Sequence, residues 1–178
     1  VIAMREHTGF PGMKILQFGF DSEGDSLDLP HHYVANTVAY VGTHDNETAM
    51  GWFKDTAMPD VREKTMRYLA LGPGETVAQG CNRAIAASVS DTCIFRMQDL
   101  LGLDNSARTT TPSTVGKNWR WRMLPEAITP EVEAELSDLT TTYYRVPGTK
   151  EPELPKSGSA WARARLARYA PFRHVTAT

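Results

Sequence analysis

The chain has 178 residues, of which 41% are hydrophobic and 22% charged, and these values argue against a disordered chain. Its net charge of −2 gives no signature of polyanion binding, so nucleic acid is not expected as a partner. No apolar run reaches the roughly 18 residues of a membrane span, so no membrane association is expected. Cys81 and Cys93 lack zinc-ligand spacing, and we find no Gly-rich phosphate loop, so we expect neither a metal nor a cofactor.

No signal peptide follows Val1, and we predict a cytoplasmic protein. A first residue other than Met suggests that the chain is a piece of something longer. Residues 149–178 carry six Lys/Arg against two acids, after a border rich in Pro and Gly. We therefore predict one domain over residues 1–148, followed by a linker and basic tail over residues 149–178.

Three short runs have the nearly continuous apolar character of parallel strands that are covered on both faces. They are Met13–Phe20, Thr37–Thr43 and Thr92–Met97. Helices are predicted over three further segments from Pro at the first helical position, acids in the first turn and apolar residues at helical spacing. They are Pro59–Leu71, about Glu75–Val89, and Pro130–Tyr143.

This order of strands and helices predicts an α/β fold. Three strands do not close a barrel, which takes eight strands and about 250 residues. The chain is therefore either a small open sheet or the last part of a barrel whose first part is absent.

The sharpest candidate for a functional site is Gly42-Thr43-His44-Asp45-Asn46, directly after the second strand. Loops at the carboxyl ends of strands in α/β proteins face the site, so an imidazole, a carboxylate and an amide would meet one ligand here. The alternative is a polar turn that caps the next helix.

Two other groups of residues are weaker candidates. His31-His32 suggests metal, but adjacent residues rarely both point at one ion, so we expect none to bind. The segment Asn118-Trp119-Arg120-Trp121-Arg122 interleaves aromatic and basic residues. It fits a sugar platform, a nucleic-acid patch or a packed lid over a core.

Five blocks in order resemble the closing third of the 4-alpha-glucanotransferases, also called amylomaltases or disproportionating enzymes. The blocks are FPGMKILQF (10–18), LPHHY (29–33), GTHDNET (42–48), MQDLLGL (97–103) and GKNWRWR (116–122). The resemblance implies about the last three β/α units of an alpha-amylase-type (β/α)₈ barrel, incomplete by itself.

The resemblance also implies an activity and a site. Such enzymes pass α-1,4-glucan segments between maltodextrins by a retaining double displacement. Asp45 takes the role of the carboxylate that stabilises the transition state, and His44 is expected to bond a hydroxyl of the same ring. Asn46, Phe18 and Trp119 are expected to contact the substrate, and Phe18 has core packing as its alternative.

In this family the nucleophile is an Asp in an Arg-x-Asp context, and the acid/base is a Glu in an Ala-Glu-Asp-Leu-Gly-like motif. Neither string occurs in this sequence, so the two catalytic carboxylates have no counterparts here. We therefore expect the chain to be inactive alone and to need the missing N-terminal part of the barrel as its partner. Two alternatives stay open. One is a non-catalytic interaction module that uses the basic tail, and the other is a hydrolase on the same barrel.

Overall fold

The computed structural model describes residues 2–146 and Gly148. Residue contacts divide the chain into two units, 1–146 and 147–178, and the account below concerns the first of them. The predicted basic tail lies outside the described residues and stays a prediction. Within the described part, no helix has the length and apolar character needed to cross a membrane.

Three short parallel strands form the sheet, with β2 in the centre. They are β1 (Gly12–Ile15), β2 (Thr37–Tyr40) and β3 (Thr92–Ile94). Lys14, Ala39 and Cys93 lie side by side across the sheet. This parallel arrangement confirms the α/β prediction.

The described residues also form seven α-helices of very different length. They are α1 (Ile2–Thr8), α2 (Leu16–Asp21), α3 (Ala49–Gly51), α4 (Pro59–Leu69), α5 (Val77–Ala86), α6 (Met97–Leu100) and α7 (Pro130–Thr142). A π-helical turn, Trp52–Thr56, continues α3. Three 3₁₀ turns complete the described elements, at Pro30–His32, Asn105–Ala107 and Pro125–Ala127.

All three strands end earlier than predicted, and the second ends at Tyr40 instead of Thr43. The first ends at Ile15, and Leu16–Asp21 turns into α2. The third ends at Ile94 and is followed by α6. In the first run the apolar character continues across the boundary because Leu16 and Phe20 of α2 are buried as well, and apolar character alone does not distinguish a buried strand from a buried helix.

The two long helices between β2 and β3 form within the predicted segments, but α4 ends at Leu69 instead of Leu71 and α5 covers Val77–Ala86 instead of about Glu75–Val89. Pro59 occupies the first turn of α4. At the start of α5, the Gln79 N–H donates to the Thr76 hydroxyl and the Thr76 N–H donates to the Gln79 side chain, at 3.2 and 2.9 Å. This capping box satisfies donors that a helix start leaves unpaired.

The core lies between the helices and one face of the sheet. Ala39 is fully buried there together with Leu16, Phe20 and Ile85. The other face is only partly covered, since Met13 and Ile94 on it are 60% and 43% exposed whereas Ile15 on it is 6% exposed. The expectation of strands covered on both faces is therefore wrong at Met13 and Ile94.

Candidate active site

The loop that follows β2 is built around Asn46. Its side-chain oxygen accepts hydrogen bonds from the N–H and the hydroxyl of Thr43, both at 2.9 Å. The Asp45 N–H donates to the Thr43 hydroxyl at 3.3 Å, and the Asn46 N–H donates to the Thr43 carbonyl at 3.2 Å. The loop is therefore closed by its own side chains, and Asn46 uses its oxygen internally.

His44 and Asp45 project from this closed loop. His44 Nε2 lies 3.3 Å from Asp45 Oδ2, and the two side chains are 53% and 55% exposed. The carboxylate therefore keeps acceptor positions free for a ligand, and the imidazole adds a second polar atom beside it.

Trp119 stands beside this pair. The centroid of an aromatic ring of Trp119 lies 5.1 Å from that of the His44 imidazole, at an interplanar angle of 37°. The backbone N–H of Trp119 donates to the Thr109 carbonyl at 2.8 Å, and Trp119 has a φ of +62°. The indole is largely exposed, so it offers an aromatic face next to the His44–Asp45 pair. A packed lid over the core is not what the structure shows for this residue.

Arg96, just beyond β3, stabilises the loop after β2 by hydrogen bonds to its backbone carbonyls. Its guanidinium donates to the carbonyls of Thr43 and Glu47, at 2.8 and 3.0 Å. Asp99 accepts from the same guanidinium at 2.8 Å through Oδ2, and from the Ala49 N–H at 2.7 Å through Oδ1. The side chain of Asp99 is fully buried, and a buried charge needs this degree of pairing.

Arg108 and Glu47 tie the next long loop to the same site. Arg108 donates to the carbonyls of Asp45 and Thr110, each at 2.7 Å. Glu47 Oε1 accepts from the Asn105 amide at 2.7 Å and lies 3.9 Å from Arg108 Nη1. These contacts connect the residues after β3 with the loop after β2.

Gln17, in the first turn of α2 directly after β1, joins the same network. Its buried amide donates to the Glu47 carbonyl at 3.1 Å. Gly42 is packed against this amide, because a Cβ at Gly42 would lie 2.6 Å from Gln17 Oε1 and 2.9 Å from the Asn46 Cβ. Glycine at this position therefore permits the close approach of the β1 and β2 ends.

The two phenylalanines of α2 have different surroundings. Phe20 is fully buried and stacks on Trp52, with ring centroids 6.0 Å apart. Phe18 is 48% exposed and remains available to a ligand. Beside Phe20, the Trp52 indole N–H donates to Asp21 at 3.0 Å, while burial raises the pKa of Asp21 above its usual range.

The structure thus brings His44, Asp45 and Trp119 together and leaves Phe18 exposed after the neighbouring strand. The sequence-based reasoning missed the supporting residues Arg96, Asp99, Glu47, Arg108 and Gln17. Gln17, Glu47 and Asp99 belong to the blocks that carry the resemblance, which was the available signal. Arg96 and Arg108 lie outside those blocks, and their roles follow from tertiary contacts.

A parallel sheet with helices packed on one face, and polar loops gathered at the carboxyl ends of its strands, is the arrangement of part of an α/β barrel. Residues 1–129 match the family model described as 4-alpha-glucanotransferase. The chain belongs to this family, and its fold is part of an amylase-type (β/α)₈ barrel.

Individual relatives agree with the family match. The 4-alpha-glucanotransferase of Streptococcus pneumoniae is 51% identical over 146 residues, which are 82% of this chain and 29% of that protein. The enzyme of Clostridium butyricum is 42% identical over 144 residues, 81% of this chain and 30% of that protein. The chain therefore spans under a third of the length of these relatives.

A solved structure agrees as well. The amylomaltase of Streptococcus agalactiae in complex with acarbose superimposes with a TM-score of 0.76 and 43% sequence identity. The match covers 80% of this chain and 29% of that structure. The three strands described here correspond to part of the barrel of that enzyme.

Proposed function

We propose that this chain supplies the Asp45 side of the active site in a 4-alpha-glucanotransferase, which moves α-1,4-glucan segments between maltodextrins. The observation that carries the proposal is the exposed His44–Asp45 pair at the carboxyl end of β2, on a loop whose Thr43 carbonyl accepts a hydrogen bond from Arg96. The family relationship supports the reaction, and the acarbose bound to the related amylomaltase supports a carbohydrate ligand.

In this reaction Asp45 holds sugar hydroxyls and stabilises the positive charge that develops on the distorted ring. His44 donates to or accepts from a hydroxyl of the same ring, according to its protonation. These hydrogen bonds strengthen as charge develops, so they lower the barrier more than they tighten substrate binding. Trp119 and Phe18 offer aromatic faces against which sugar rings pack.

The bond-breaking carboxylates of the retaining double displacement come from other residues of the complete protein. One carboxylate attacks the anomeric carbon, and the second protonates the leaving oxygen and then deprotonates the acceptor hydroxyl. The acceptor is a sugar rather than water. We infer that residues 1–148 form the C-terminal part of this catalytic barrel and have no transferase activity alone.

A chimaera tests the proposal. Residues 10–129 of this chain replace the matching segment of the Streptococcus pneumoniae relative, and the product is incubated with maltotriose. We expect glucose together with longer maltodextrins. Asp45→Asn should lower kcat by about 10³-fold, because it removes a charge that acts in the transition state.

Asp91→Asn is the matched control, since Asp91 is an exposed aspartate just before β3, at the opposite ends of the strands. It should leave kcat unchanged. Full activity of the Asp45→Asn chimaera would contradict the assigned role. Maltotriose cleaved to glucose and maltose without longer products would instead identify a hydrolase.

A further inference from the structure

A second group of polar side chains converges in the segment between α2 and β2. Asp25, His31 and His32 each offer one ligand atom, and these atoms lie within 4.8 Å of one another. His31 Nε2 is 3.3 Å from Asp25 Oδ1, and His32 Nε2 is 2.6 Å from Asp25 Oδ2. Among the described residues, this is the one set of three histidine, cysteine or acidic side chains with metal-ligand spacing.

The 3₁₀ turn explains how adjacent histidines reach the same point. In a strand, neighbouring side chains point to opposite faces, whereas Pro30–His32 forms a tight turn that begins with proline. The rings of His31 and His32 therefore lie together, with centroids 4.2 Å apart. The argument from adjacency against a metal site is wrong for this geometry.

Tyr68 of α4 fixes the orientation of His31. Its hydroxyl oxygen accepts from the His31 backbone N–H at 3.4 Å and lies 2.9 Å from His31 Nδ1. When Nδ1 carries the proton and donates to this oxygen, the lone pair of Nε2 faces Asp25. Metal-ligating histidines are commonly oriented by such a partner on the second ring nitrogen.

Lys64, one turn earlier on α4, fixes the loop that carries Asp25. Its ammonium donates to the carbonyls of Gly19, Ser22 and Gly24, at 3.3, 3.1 and 3.1 Å. Both halves of the cluster are thus held by the same helix before any ligand arrives. The three ligand side chains remain solvent-accessible, so an ion can enter.

We propose that Asp25, His31 and His32 bind one divalent transition-metal ion of the Zn²⁺ type, with water completing the coordination. Zn–N and Zn–O bonds of about 2.0–2.1 Å in a tetrahedral site place ligand atoms about 3.3 Å apart. The two histidine nitrogens lie 3.3 and 2.6 Å from the Asp25 carboxylate, and all three ligand atoms lie within 4.8 Å of one another, so side-chain rotations would bring them to this spacing. The ion links the loop after α2 to the turn before β2, and this inference does not depend on the glucan chemistry.

The test is titration of the 178-residue chain with Zn²⁺ in competition with a chromophoric chelator. We expect one ion per chain, and a visible absorption spectrum of a nitrogen- and oxygen-ligated site when Co²⁺ replaces Zn²⁺. His31→Gln, His32→Gln and Asp25→Asn should each weaken Zn²⁺ binding at least about 10-fold, since each removes one of three protein ligands.

His7→Gln and His44→Gln are the matched controls, because both histidines are exposed and lie outside the cluster. They should leave the affinity and the stoichiometry unchanged, as should His174→Gln in the tail. Circular dichroism of every variant checks that the fold persists. Absence of Zn²⁺ binding, or binding that survives all three ligand substitutions, would overturn the proposal.

Discussion

The Arg96–Asp99 pair is the polar centre of this part of the molecule. Asp99 is withdrawn from water, and its two oxygens are satisfied by the guanidinium and by the Ala49 N–H. Arg96 in turn places its remaining donors on the carbonyls of the loop that carries Asp45. The exposed carboxylate at the candidate site is therefore positioned by a buried one beneath it.

Removing Arg96 should be severely destabilising. Arg96→Met leaves Asp99 buried without its counter-charge, and we expect the free energy of unfolding to fall by about 3–5 kcal/mol. Urea unfolding followed by circular dichroism measures this change. Arg67→Met, at an exposed position on α4, is the control and should cost under about 0.5 kcal/mol. Equal stability of the two variants would contradict this account.

Gly42 sets the distance between β1 and the loop. In the chimaera, Gly42→Ala should lower kcat by up to about 100-fold, because the added methyl displaces Gln17 and Asn46, and small misplacements of catalytic groups are costly. Gly72→Ala is the matched control, since the nearest atom to its added Cβ lies 3.8 Å away. Equal maltotriose turnover by both variants would show that the close approach at Gly42 is unimportant.

Helix α5 is stabilised at its start by a network of side chains. Glu75 binds both the Arg83 guanidinium, at 2.7 and 3.0 Å, and the Gly72 N–H, at 2.9 Å. Arg83 also donates to the Leu69 carbonyl at the end of α4, at 2.7 Å. The turn between the two helices is thus closed by one ion pair, which holds the pKa of Glu75 below its usual value.

This lowered pKa predicts a pH dependence of stability. The contribution of Glu75 is fully present above its ordinary pKa of 4.5 and is lost as the pH falls through the lower value of the folded state. Glu75→Gln should therefore lower the melting temperature at pH 7, and the difference from the unsubstituted chain should shrink in acid. Glu63→Gln, on the exposed side of α4, should show no such trend. A constant difference between pH 7 and pH 3 would contradict the assignment.

Within the described part, the sheet has unpaired strand edges and a face on which apolar side chains are exposed. Met13 and Ile94 are exposed on that face, whereas Ala39 on the opposite face of β2 is fully buried. Exposed apolar faces and open strand edges promote association with other chains. In an amylase-type barrel such a face lines the interior, where further strands cover it.

The chain by itself should therefore self-associate. Sedimentation velocity at low-micromolar concentration is expected to show dimers or larger species. Ile94→Lys should shift the distribution toward monomer by placing a charge on that face. Val115→Lys is the control, because Val115 is 95% exposed in a loop and should have no effect. A monomer at every concentration would contradict this prediction.

Pattern and composition were sufficient to predict the α/β class, the three strand starts and the two long helices, since these depend on local periodicity and capping. They were also sufficient to identify the family and the His44-Asp45 motif, because motif order is a property of the linear chain. The ends of the strands, the Arg96 contacts with the loop carbonyls and the convergence of Asp25 with two adjacent histidines needed the tertiary structure. These three features depend either on contacts between residues far apart in sequence or on the geometry of a single turn. The spacing of residue types along the chain predicts neither kind of information.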